Sequence, residues 1–256
     1  MGAGGAVRVS GTPPVPRGEV PARLLAWWEG HRRHFPWREP GLSPFAVLLA
    51  EVLLKRTTAT AAARVYPVLL ARYPNAHALA SAPPGELEVI LSGVGLQRQR
   101  ARGLKEMASY LCANAGGEVP RDLGELLRVP HIGPYTARAV LVFAFGEPLG
   151  LVDSNTVRVF QRLFGGTAPQ GRGLRAYQGL ADSLVPPDRP REYNWAFMDF
   201  AALVCRPGAP QCGTCPLGHV CATRTAAPGG SPDQRGLCGG DRPPHGGRDQ
   251  ESGYRD

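Results

Sequence analysis

Cys205, Cys212, Cys215 and Cys221 place four thiols within 17 residues, in the spacing C-x6-C-x2-C-x5-C. No other feature of the 256-residue chain constrains its folding so tightly. So short a loop keeps its thiols close together, and the fold must supply a frame on which the loop closes. The chemistry that closes it depends on compartment. No apolar run approaches the roughly 20 residues that span a bilayer. The first residues, with Gly2 to Gly5 and Pro13 to Pro16, lack the long apolar stretch of a secretory signal. A cytoplasmic protein is expected, and there clustered cysteines bind metal more often than they form disulfides. Four thiolates suit a tetrahedral zinc ion or an iron–sulfur cluster. Zinc sites usually carry a pair of C-x2-C motifs across a longer gap, whereas this loop has a single one. Cys112 falls in an apolar helical stretch and reads as a core residue; Cys238 lies in a polar tail and needs no role.

Around the loop the apolar periodicity is helical almost throughout, and strand-like alternation is nearly absent, so an all-α fold is expected. Leu24, Trp27 and Trp28 belong to a first helix. Ser43 as cap and Pro44 in the first turn open a helix that runs through Leu54. Further helices are predicted over about 58–72, 86–92, 98–114 and 122–128. Pro134 opens one to about Phe145, Asp153–Asn155 cap another to about Phe164, and a last long helix covers about 192–204. Residues 1–17 and 226–256, rich in Gly and Pro and poor in apolar groups, are expected to be disordered. The formal charge is +8, with 29 basic residues of which only Lys55 and Lys105 are lysines. Arginine forks suit phosphates and base edges, although a general arginine bias gives the same count. The segment after Cys221 balances five Arg against five Asp or Glu, so the excess lies in residues 1–221, which favours a nucleic-acid partner.

Val129-Pro-His-Ile-Gly-Pro-Tyr-Thr-Ala137 joins two helical segments through a tight turn. Backbone at Gly133 can approach a ligand closely, and the free N–H groups of the next helix face outward toward an anion. Eighteen residues beyond Gly133 begins Leu151-Val-Asp-Ser-Asn-Thr-Val-Arg158, a helix start with a carboxylate at its cap. An Asp there often does no more than cap. In order and spacing, the hairpin, Asp153, the stretch Asn194-Trp-Ala-Phe-Met-Asp-Phe-Ala-Ala-Leu-Val-Cys205 and the cysteine loop resemble one family over about residues 25–222. That family is the iron–sulfur DNA glycosylases of the helix-hairpin-helix superfamily. Endonuclease III and the adenine-mismatch glycosylases are among them; the mismatch-specific thymine glycosylases are the most similar. The resemblance implies a two-lobed fold, with residues 44–150 a helical barrel domain ending in the hairpin and 18–43 plus 151–225 an iron–sulfur cluster domain. It implies a [4Fe–4S] cluster on the four cysteines and a monomer acting on double-stranded DNA that contains a mismatch. It also implies a nucleoid-associated location, no membrane partner, and an abasic-site endonuclease acting downstream.

The same resemblance assigns the site. Asp153 corresponds to the catalytic aspartate; a helix N-terminus favours negative charge, and a carboxylate there can stabilise the cationic sugar formed as an N-glycosidic bond breaks. Tyr135 stands where the superfamily members that also cut the backbone carry a Schiff-base lysine, so hydrolysis by water without strand cleavage is implied. Thymine enzymes have Tyr at this position, and adenine enzymes often have Ser. Glu51 lies among apolar neighbours on its helix. A surface pair with Lys55 is one reading; the other is partial burial, a raised pKa and a role as proton donor. The stretch Glu51–Thr58 resembles the matching helix of both groups, and its Lys-Arg-Thr-Thr end is closer to the thymine enzymes. The 35 residues after Cys221 are too polar and too few for the extra domain with which adenine glycosylases read 8-oxoguanine. Gly95–Ala101 aligns with the intercalating loop, so Leu96 or Gln97 is the expected wedge that fills the gap left by a flipped nucleotide. Arg98 and Arg100 are expected on phosphate or the widowed guanine, and Lys55 and Arg56 on the opposite side of the cleft. His131, where the family's hairpin has its first glycine, joins Ile132, Gly133, Thr136 and Asn155 as the remaining DNA contacts. The expected activity is removal of thymine or uracil opposite guanine. An adenine glycosylase acting on A opposite G is the alternative within the enzymes, and a mismatch-binding module without catalysis is the alternative outside them.

Overall fold

The computed structural model describes residues 18–170 and 173–225; the tails expected to be disordered, and Cys238, lie outside them. Among the described residues there are twelve α-helices and no strand, as the periodicity implied. They are α1 (Glu19–Glu29), α2 (Pro44–Leu54), α3 (Ala59–Arg72), α4 (Ala76–Ala80), α5 (Pro84–Ile90), α6 (Gln97–Ala115), α7 (Leu123–Leu126), α8 (Pro134–Phe145), α9 (Ser154–Phe164), α10 (Gln178–Ser183), α11 (Pro190–Leu203) and α12 (Ala222–Thr225). No helix among the described residues is long and apolar enough to cross a membrane.

Side-chain caps open five of the twelve helices. Ser43 Oγ accepts from the Ala46 N–H at 3.2 Å and Thr58 Oγ1 from the Ala61 N–H at 3.1 Å, each satisfying a donor that the helix itself leaves open. α2 is buried along nearly its whole surface, Phe45 to Glu51 without a break, as a helix apolar all round must be. α9 is the opposite case. Thr156, Val159, Phe160, Leu163 and Phe164 recur at helical spacing and are buried, while the other face is polar.

Two apolar cores result. The larger packs Leu48, Leu49 and Leu53 of α2 against Tyr66 and Leu69 of α3, Leu104, Met107 and Leu111 of α6, and Val140 of α8. The second packs Leu24 and Trp28 of α1 with Phe160 and Phe164 of α9 and Phe197 and Phe200 of α11. Phe160 meets Phe197 edge-on at 5.2 Å, and truncating so buried a ring to Ala costs about 3–5 kcal/mol. A small third cluster lies where the two meet: Val47 from α2, Ala139, Val142 and Phe143 from α8, and Leu151 ahead of α9. α11 reaches it through Trp195, whose ring stacks on Phe143 at 5.2 Å.

A fully buried carboxylate fastens α1 to α11. Asp199 accepts from Trp28 Nε1 at 2.8 Å, from the Arg33 N–H at 3.1 Å and Nε at 2.6 Å, and from both terminal nitrogens of Arg38. Burial alone would push its carboxyl up. The hydrogen bond and charge of Arg38, with Arg33, outweigh that and hold it below the ordinary carboxylate range.

Candidate active site and nucleic-acid interface

Asp153 caps α9 from extended backbone, φ −129°. Its Oδ1 accepts from the Thr156 N–H at 2.7 Å and lies 2.9 Å from Thr156 Oγ1, while Oδ2 accepts from Asn155 Nδ2 at 3.1 Å. Both oxygens are thus fixed, and the side chain stays partly open to solvent. Asn155 in turn accepts from Arg158 Nη1 at 2.6 Å, and Arg158 donates onward to the carbonyl of Cys205.

Glu51 is 4 % exposed, and its Oε2 has no hydrogen-bond partner. Burial pushes its carboxyl up to about 8, against the pull of the Arg38 charge. This is the buried of the two sequence readings. The group is mostly protonated at neutral pH and can give its proton away. Tyr135, in the first turn of α8, packs partly buried against the third cluster. The same cluster contains Val47, one turn before Glu51 on α2, and Leu151, two residues before Asp153. Of the three expected catalytic side chains, Tyr135 packs against this patch, while Glu51 and Asp153 follow its members Val47 and Leu151 by four and two residues.

The expected DNA contacts other than Asn155, which lies in α9, fall on or beside three loops. Only three non-glycine residues among those described have left-handed backbone: Arg56 (φ 53°), Leu96 (φ 51°) and His131 (φ 64°). Such backbone is costly for side chains beyond Cβ and tends to persist at functional sites. The three loops are stitched to one another. Arg100 donates from Nε to the Gly95 carbonyl at 3.0 Å, and from Nη2 to those of Lys55 at 2.7 Å and Arg56 at 3.4 Å. Lys55 Nζ donates to the His131 carbonyl at 3.0 Å. Leu96 stands 52 % exposed at the start of α6. Gln97 and Arg56 are exposed beside it, and Arg98 pairs with Glu88 at 3.5 Å.

Arg100 acts otherwise than the sequence suggested: it is turned inward on backbone carbonyls and braces the loops. The His131 ring stays exposed and lies against Glu106 of α6 at 2.6 Å. Ile132 is buried, Thr136 is buried, and Gly133 caps α8 with Pro134 in its first turn. The bracing by Arg100 and the Arg38–Asp199 pair escaped the sequence reading, because nothing local marks either one.

The four loop cysteines are half-buried. The Cys205 N–H donates to the Phe200 carbonyl, and Cys221 Sγ donates to the Arg162 carbonyl at 3.4 Å, so both ends of the loop are tied to helices. The Cys215 thiol is pushed up to about 12, first by burial and further by its three neighbouring thiols, against a lowering backbone hydrogen bond from Leu217. Among the described residues no group of three or more His, Cys, Asp or Glu is arranged to hold a metal ion.

The chain is similar to known proteins over most of its length. The chain is 36 % identical over 200 residues to a thymine/uracil-DNA glycosylase of Methanothermobacter thermautotrophicus, covering 78 % of this chain and 90 % of that one. It is 37 % identical over 207 residues to an adenine DNA glycosylase of Mycolicibacterium smegmatis, 80 % of this chain and 70 % of that one. The solved structure of a thermostable thymine-DNA glycosylase superposes with a TM-score of 0.78 at 35 % identity, covering 82 % of this chain and 97 % of that one. Residues 49–176, from α2 to the turn before α10, match the model of the HhH-GPD superfamily. With the hairpin, the capping aspartate and the shared fold in place, the chain belongs to the HhH-GPD superfamily of base excision DNA repair proteins.

Proposed function

We propose that this protein is a monofunctional DNA glycosylase that hydrolyses the N-glycosidic bond of thymine or uracil mispaired with guanine. The observation that carries the reading is Glu51, a buried carboxyl with an unpartnered oxygen that keeps its proton at neutral pH, one helical turn from Val47 of the cluster against which Tyr135 packs. The likeness to a thymine/uracil-DNA glycosylase over nine-tenths of that protein's length supports the choice of base.

The target nucleotide leaves the stack, which a mismatch makes easier. Leu96, exposed and locked in left-handed backbone, is the wedge for the gap, with Gln97 beside it. Arg56, Lys55, Arg98, Ile132, Gly133, Thr136 and Asn155 flank the strand. Glu51 holds a proton below about pH 8 and gives it to the departing base as the bond to C1′ breaks. Asp153, its oxygens fixed by Thr156 and Asn155, faces the positive charge that develops on the sugar. Water adds its oxygen to C1′ and its proton goes to the solvent, from which the Glu51 carboxylate is reprotonated. Tyr135 offers no amine for a Schiff base, so the strand stays intact for an abasic-site endonuclease. Cys205, Cys212, Cys215 and Cys221 would hold a [4Fe–4S] cluster; an all-thiol donor set on one short tethered loop supports that choice. The group would order the loop beside Arg158 and Arg162. We read residues 44–150 as one lobe and 18–43 plus 151–225 as the other, in a monomer associated with the nucleoid; the separate cores support this division except at Phe35 and Trp37, which pack in the larger core.

The test is a base-release assay on duplexes with T, U or A opposite G, and A opposite 8-oxoguanine. Release of T and U with an alkali-labile but otherwise intact strand is expected, and D153N should abolish release while retaining binding. Release of adenine alone would favour the reading that the M. smegmatis relative suggests. Binding without any product would favour a mismatch-recognition module.

A further inference from the structure

His131 is held from two sides. Lys55 takes its carbonyl, and its Nε2 lies 2.6 Å from Glu106 Oε2 on α6. Glu106 is itself fixed, because Oε1 accepts from Arg102 Nε at 2.7 Å. Gly103, one turn earlier on α6, leaves room for the ring: a Cβ built there would sit 3.4 Å from the imidazole. That is ordinary contact for a methyl, and a longer side chain would need the space the ring occupies. Glycine in the middle of a helix is unfavourable, and this one faces the hairpin histidine. Left-handed backbone at a residue other than glycine persists where its surroundings over-determine it. Here the surroundings are a lysine, a carboxylate and a bare stretch of helix.

We propose that Glu106 is a positioning residue for the hairpin: by holding the His131 ring on α6, it keeps the left-handed turn that presents the amides at the start of α8 to a DNA phosphate. The inference rests on reading this turn as a DNA contact. A glycine at 131 would enter the turn without strain and without an anchor. Histidine enters it with strain, and the anchor supplies what the backbone lacks. The sign of the effect separates this role from simple electrostatics. An acidic group beside a phosphate site weakens binding by its charge, so deleting it and freeing Arg102 would tighten binding if charge were its only effect.

E106A in the full chain, alone and combined with H131G, tests this through two readouts. Amide hydrogen exchange at Ile132, whose N–H donates to the Val129 carbonyl at 3.2 Å, reports the turn without DNA. Titration of a labelled duplex carrying one G·T pair at fixed salt reports binding. In the wild-type background we expect E106A to speed Ile132 exchange about tenfold and weaken binding about three- to tenfold, as a less populated competent hairpin requires. The melting temperature should hold. In the H131G background E106A should change neither exchange nor binding for the worse. Unchanged Ile132 exchange in E106A, or binding that tightens equally in both backgrounds, overturns the proposal. Failure of the wild-type chain to bind any duplex would sink the DNA reading instead, and the exchange readout would still decide the role of Glu106.

Discussion

Glu51 and Asp199 are both buried carboxyl groups, both neighbours of Arg38, and they sit at opposite ends of what burial does to an acid. Asp199 is fully enclosed, yet five donors converge on it and its carboxyl lies below the ordinary range. Glu51 is nearly as enclosed, has one oxygen without a partner, and is pushed up to about 8. Burial is common to both, so the number of donors decides the charge state. A satisfied carboxylate is a fastening. An unsatisfied one is a proton held ready, at a cost in stability that function must justify.

The largest expected effect comes from breaking the fastening. D199A leaves Arg33 and the buried Arg38 without their anion, and loss of one partner from a buried pair costs about 3–5 kcal/mol. A thermal melt should then fall by about 10 °C or more for a chain of this size. An unchanged melt would mean that Asp199 is as dispensable to folding as Glu51. Next, E51Q should lower single-turnover base release about 10²- to 10⁴-fold, the range for loss of a positioned proton donor, without lowering the melting temperature at neutral pH. Wild-type release should also fall as pH rises through about 8, where Glu51 loses its proton, and release that stays flat across that range would remove Glu51 from the chemistry.

Stability itself should follow pH in a direction set by Glu51. The folded chain keeps a proton there that the unfolded chain releases above about 4.5, so this contribution is fully present below that pH and is lost as pH rises toward about 8. Denaturant titrations of wild type and E51Q at a series of pH values should diverge across this window by up to about 5 kcal/mol in favour of E51Q. Parallel curves would place the carboxyl in a more polar setting than its burial indicates. The smallest effect should come from R38K, which retains the charge near Glu51 but loses the fork on Asp199. A loss of about 1 kcal/mol with the pH–rate profile unmoved would separate the two functions of one arginine.

Much of this was legible from local chemistry. α2, α8 and α9 start where Ser43, Pro134 and Asp153 said they would, because a cap or a first-turn proline is a one-residue decision. The position of Glu51 amid apolar neighbours offered partial burial as one of two readings, beside a surface pair with Lys55, and the structure buries it almost completely. α4, α10 and α12 were not anticipated; at four to six residues they are too short to show a period. Arg100, Asp199 and Glu106 were invisible for a different reason. Each draws its role from partners between 25 and 171 residues away, and no local pattern encodes such a meeting.

The Asp199 clamp also sets a timetable. The larger core draws on Trp37 through Leu141, one continuous stretch that a growing chain can collapse soon after it emerges. The second core needs α1, made before that stretch, and α11, made after it, and the five donors on Asp199 come from residues 28–38. Contacts between such distant segments form late, so Trp28 and its apolar neighbours on α1 must wait, uncovered, for most of synthesis. Crowded or heated cells should find the chain most vulnerable to aggregation in that interval, before the last long helix arrives to take the arginines in hand.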